Sequence, residues 1–144
     1  MITGQIPFGY EGCLQRNNVG NLNYKKEGDW VTLEFSMNDW DLDHDNCPDY
    51  PHWKYMFKVI NPGLCLSIVR KPVYAGPPIL PEELRPKKMK IIGGFGFTGD
   101  KLIPITFHIN KYGGIDCRTD INKNWKDIGQ LGLCNNTITY TIND

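Results

Sequence analysis

Alanine is nearly absent: the 144-residue chain has one, Ala75, against 15 glycines and 10 prolines. Alanine costs a helix least, and glycine and proline at this density cut a chain into short segments, so a helical bundle is excluded. There is no excess of charge of either sign. Lys plus Arg and Asp plus Glu both number 16, with a pI near 6.8. That balance speaks against a generally basic nucleic-acid binder and against a protein held on anionic membrane by charge. No apolar run approaches the ~20 residues of a spanning helix, and Ile2-Thr3-Gly4-Gln5-Ile6-Pro7 has neither the basic start nor the apolar stretch of a signal peptide. The five cysteines (13, 47, 65, 117 and 134) include no C-x-x-C, so zinc-finger and thioredoxin patterns are lacking. Cys65 and Cys117 fall in strand-like runs, where a reduced thiol serves as a small buried hydrophobe. G-x-S-x-G is missing, and both serines, Ser36 and Ser67, lie within strand-like segments. No repeat or linker divides the chain, which reads as one domain over 1–144.

What is present is β-rich. Isoleucine, at 15, is the commonest apolar residue, and 17 aromatics accompany it. From Val19 to Met37 two alternating runs flank Lys26-Glu27-Gly28-Asp29, a hairpin with Val31, Leu33 and Phe35 on one face. Further strands are expected at 54–60, 64–70, 87–92, 101–110, 115–119 and 137–142. Residues 72–86 are punctuated by proline, and Gly93 to Asp100 reads as a flexible glycine-rich connection that lacks the following helix a phosphate loop requires. Eight or more short strands in one domain predict an all-β fold, an antiparallel β-sandwich of jelly-roll type.

Three pieces occur in order: Leu80-Pro81-Glu82-Glu83-Leu84-Arg85-Pro86, then Ile105-Thr106-Phe107-His108-Ile109-Asn110 turning into Ile115-Asp116-Cys117, then Ile138-Thr139-Tyr140-Thr141-Ile142. Together with the early hairpin, this series resembles the receptor-binding head domains of viral and bacteriophage fibres. The resemblance spans about three-quarters of the chain at scattered positions, and the Leu-Pro…Arg-Pro piece is its most specific part. The cysteine content and the 39–53 segment depart from the family's usual pattern. The resemblance implies a homotrimer on the virion surface, made in the host cytoplasm. Its job would be attachment to a host-surface glycan or protein, without cofactor, metal, catalysis, nucleic acid or membrane insertion. The alternative is a cellular β-sandwich lectin acting as a monomer or dimer, although the galectin-type H-N-P-R and W-x-x-E pieces are missing. The Leu-Pro…Arg-Pro segment is expected to close the end of the fold or pack on a neighbouring protomer, with Glu82, Glu83 and Arg85 holding a local charge pair or an inter-subunit one.

The candidate binding segment is 39–53. Asp39, Asp41, Asp43 and Asp45 resemble the start of a calcium loop, but the twelfth position from Asp39 is Tyr50 and from Asp41 is His52, so an EF-hand is excluded. A solvated acidic loop, an irregular cation site and a recognition loop remain as readings. In the last, Trp40, Asp41, His44, Tyr50, His52 and Trp53 bind the receptor through aromatic anchors and polar side chains. His44, Cys47 and His52 lack zinc-site spacing. His108 is placed opposite Ile105, Phe107 and Ile109, at the surface or a subunit contact. Lys87, Lys88 and Lys90, near Arg85, form a basic cluster that reads as a solvated strand face and secondarily as an attraction for acidic glycans. Phe95, Phe97 and Met56 are expected to be covered where protomers meet.

Overall fold

The computed structural model describes residues 1–10, 20–37, 58–59, 64–70, 78–98, 101–119 and 132–144. Ten strands are present among them: β1 (Ile2–Tyr10), β2 (Gly20–Glu27), β3 (Trp30–Met37), β4 (Lys58–Val59), β5 (Leu64–Arg70), β6 (Lys90–Thr98), β7 (Lys101–Ile109), β8 (Ile115–Thr119), β9 (Gly132–Leu133) and β10 (Asn136–Thr141). The all-β expectation holds, and no α-helix occurs among the described residues. The strands build one antiparallel, barrel-like sheet in the order β10-β3-β2-β1-β5-β8-β7-β6-β9, with β4 paired to β5.

That sheet curls until its ends meet. Phe35 of β3 stacks on Phe107 of β7 with ring centroids 4.9 Å apart, and Phe8 of β1 meets Phe35 edge-on at 5.5 Å. β3 and β7 stand five places apart in sheet order, so their rings can touch only if the sheet closes around them. The interior is therefore a packed core of side chains. Val31, Leu33 and Phe35 alternate into it from β3, as the hairpin pattern predicts, and Ile103, Ile105, Phe107 and Ile109 do so from β7.

One side chain reinforces the closure, beside the β6–β9 pairing and a bond from the Cys134 N–H to the Phe95 carbonyl (3.5 Å). Asn136, at the start of β10, accepts from the Phe95 backbone N–H (2.9 Å) and donates from Nδ2 to the Phe95 carbonyl (2.8 Å) and the Cys134 carbonyl (2.7 Å). β6 has no strand pairing to β10, so this amide stands in for one. A Cβ at Gly94 would lie 2.5 Å from the Phe107 ring and 2.7 Å from Asn136 Oδ1. The glycine-rich stretch from Gly93 to Thr98 is thus the second half of β6. It was expected to be a loose connection; its glycines instead permit close approach at the seam.

Residues 78–88 plug one end of the barrel. Ile79, Leu80 and Leu84 are almost wholly buried, with a 3-10 turn over Glu82–Leu84. The Leu80 N–H donates to the Gly113 carbonyl (3.1 Å), the Tyr140 hydroxyl to the Leu84 carbonyl (2.7 Å), and the Lys87 N–H to the Ile142 carbonyl (3.0 Å). Arg85 Nε donates to the Leu80 carbonyl at 3.0 Å. Among the described residues no ion pair joins Arg85 to Glu82 or Glu83, so Arg85 clamps the backbone of its own segment where a charge pair was expected. Gly113 has a φ of +89°, and a Cβ there would press on Arg85 Nε and the Leu80 carbonyl.

Candidate functional site

Alternation that fills the interior also decides what each wall shows outside. On β1, β2, β3 and β10 the outward row is polar and mutually bonded. Gln5 donates to Asn23 (2.8 Å), Asn23 donates to Glu34 (3.2 Å), and Thr32 and Thr139 share a hydrogen bond at 3.4 Å. A depression of about 280 Å³ lies at one end of this wall, lined by Glu34, Phe35, Ser36, Asn135, Asn136 and Thr137. Asn135 is engaged there, accepting from the Met37 N–H at 2.7 Å.

The wall of β5, β8, β7 and β6 differs. Two rows run across it, set by strand register. Ile91, His108, Asp116 and Ser67 make the first; Gly93, Thr106, Arg118 and Cys65 make the second. Ser67 donates to Asp116 Oδ1 at 2.9 Å. Arg118 approaches the other oxygen of Asp116 only to 3.7 Å, an electrostatic contact beyond hydrogen-bonding distance. Arg118 Nε is buried without a partner, although the side chain as a whole is 39% exposed. His108 and Thr106 share a hydrogen bond at 3.0 Å through Nε2, while the buried Nδ1 has none. Burial, and secondly the Arg118 charge, hold the His108 pKa below its usual value; Asp116 pulls weakly the other way.

Gly93 leaves open space above the second row, flanked on β6 by Ile91 (62% exposed) and Phe95 (54% exposed). The wall thus combines a cation, an imidazole, a hydroxyl and two apolar side chains around the bare backbone of Gly93. Ser67 points its proton at Asp116, so Ser67, His108 and Asp116 do not make the hydrogen-bonded nucleophile–base pair of a hydrolase. Among the described residues no three His, Cys, Asp or Glu side chains are grouped to hold a metal ion, and no helix is long and apolar enough to cross a membrane.

Trp40, Asp41, His44, Tyr50, His52 and Trp53 lie outside the described residues, as do Cys13, Cys47 and Met56 and the strand expected at 54–57. β3, which leads toward them, ends at the barrel end opposite the plug. Cys65 and Cys117 are buried, as their strand positions predict, and burial pushes the Cys117 thiol well up. His108 does lie on the outward face. Its neighbours Ser67, Thr106, Asp116 and Arg118 carried no local signal, because only the register of three strands brings them together. Lys90 of the basic cluster donates to the Asp144 carbonyl at 2.7 Å, while Lys87 and Lys88 are exposed.

Comparisons with known protein families, with curated proteins and with solved structures return no match. What the chain does must be argued from this geometry.

Proposed function

We infer that this chain is a receptor-binding head of the viral or bacteriophage fibre type, attaching a particle to a host-cell surface as a homo-oligomer. The observation that carries the reading is the filled interior: Phe8, Phe35 and Phe107 occupy the space where an enclosed ligand would sit, so binding belongs to the outer walls. The Leu-Pro…Arg-Pro segment adds to it, because the piece that most resembles fibre heads closes one end of this barrel. In fold terms we read the barrel as a two-layer sandwich continuous around its edges, which accommodates the jelly-roll architecture the resemblance implies.

Attachment needs neither cofactor nor covalent chemistry, and several weak sites on linked copies suffice. The apolar side chains exposed at Met89, Leu102 and Trp30 are the surfaces from which copies would associate. Light scattering on a size-exclusion column, with reductant, tests this. The expected mass is three times 16.5 kDa. A stable single-chain mass would overturn the fibre head and favour a lectin acting alone.

A further inference from the structure

We propose that the patch around Arg118 and Gly93 on the β5-β8-β7-β6 wall binds a saccharide carrying a carboxylate or sulfate group, with Arg118 as the anchor for that anion. The inference rests on the attachment reading and names the class of receptor.

The argument starts from the hydrogen-bonding state of Arg118. A guanidinium has five N–H donors in a planar fork that matches carboxylate and sulfate oxygens. Arg118 spends none of them in a hydrogen bond among the described residues: Nε is buried and alone, and Asp116 stands 3.7 Å away. A buried donor without an acceptor is costly, so a fold that retains one calls for a reason. The backbone of Arg118 is paired to Cys65 on one side and Thr106 on the other, which fixes the base of the side chain. Asp116 carries negative charge beside it, but Ser67 holds that carboxylate from the β5 side. The side toward Thr106 and Gly93 stays open to an anion.

The rest of the row suits a sugar better than a peptide. β7 and β8 are paired on both edges, so no free strand edge invites an extended chain there. Gly93 leaves space, and Phe95 offers an exposed ring beside it on which the C–H face of a sugar can lie. Thr106 and His108 present groups that can exchange hydrogen bonds with ring hydroxyls. On the opposite wall Gln5, Asn23 and Glu34 are bonded to one another, and the exposed cation on that row, Lys25, is an ammonium beside Glu27 (3.8 Å) without the planar fork of a guanidinium.

The test uses the whole chain on a surface bearing 3′-sialyllactose, 6-sulfo-N-acetyllactosamine or neutral lactose, beside binding to host-type cells with and without sialidase and sulfatase. We expect at least tenfold preference for one of the acidic probes over lactose, and the two probes separate carboxylate from sulfate. Arg118→Met should lose at least tenfold; Arg118→Lys, which keeps the charge without the fork, should lose less. Thermal unfolding of both variants shows that the fold persists. As a second readout, the wild-type Arg118 Nε–H nuclear magnetic resonance signal should shift on titration with the preferred probe. Equal binding to all three probes, no effect of Arg118→Met, or binding only to acidic peptides would overturn the inference. Cell binding that ignores both enzymes would also overturn it while leaving the attachment reading standing. Absence of any cell or glycan binding by the wild type would remove both.

Discussion

Asn136 does with one amide what neighbouring strands do with backbone. It supplies both a donor and an acceptor to Phe95, and the seam between β6 and β10 has no other bridge of this kind among the described residues. Asn136→Ala should therefore lower stability by about 1–3 kcal/mol, read as a shift in urea midpoint, because it leaves the Phe95 N–H unmatched and the Phe95 carbonyl with only the 3.5 Å bond from the Cys134 N–H. A second prediction belongs to His108. Its folded pKa lies below the usual 6.5, so the unfolded chain binds more protons within the window under that value. Stability contributed by neutral His108 is present above that window and is lost as pH falls through it. Urea midpoints measured between about pH 7 and 5.5 should decline, and His108→Gln should flatten the decline.

At the scale of elements, one buried phenol ties the plug to β10, beside the plug's own backbone bonds and buried side chains. The Tyr140 hydroxyl is the partner of the Leu84 carbonyl, and burial raises its pKa far above the normal tyrosine range. Tyr140→Phe should cost about 1–2 kcal/mol in chemical denaturation while the barrel still forms, since the ring remains to fill its place. Legibility in the sequence follows local regularity. The β2–β3 hairpin, β7, β8 and β10 could be read because their alternation runs over five or more residues, and β5 because it is a short, nearly uniform apolar run after the turn signal of Asn61-Pro62-Gly63. β1 could not: Gly4, Pro7 and Gly9 break up Ile2–Tyr10, and only its pairing with both β2 and β5 makes it a central strand. β6 was legible in its first residues alone, because close packing at its glycines is a non-local fact. The candidate site was the least legible. Arg118 and His108 each look like the solvated member of an alternating pair until the register of β7 and β8 sets them on one wall.

For the whole molecule, the division of its outer surface matters most. One wall carries a hydrogen-bonded polar ladder with Trp30 exposed at its end, and the other carries apolar side chains around Arg118, whose guanidinium makes only a 3.7 Å ion-pair contact with Asp116. The predicted trimeric mass and the dependence of acidic-glycan binding on Arg118 are separate measurements, so either can fail alone. A last consequence comes from the ends of the chain. Ile2 pairs with Lys26, and the Ile142 N–H bonds to the Asp29 carbonyl, so Met1 and Asp144 both emerge beside the β2–β3 turn. Tension applied between them would open β1 and β10 from that end one bond at a time, as a zipper opens. A barrel stable to denaturant should thus yield at low force when pulled by its two termini. The same barrel should resist far more strongly when one handle is moved to the opposite rim, where the load must shear whole strands at once.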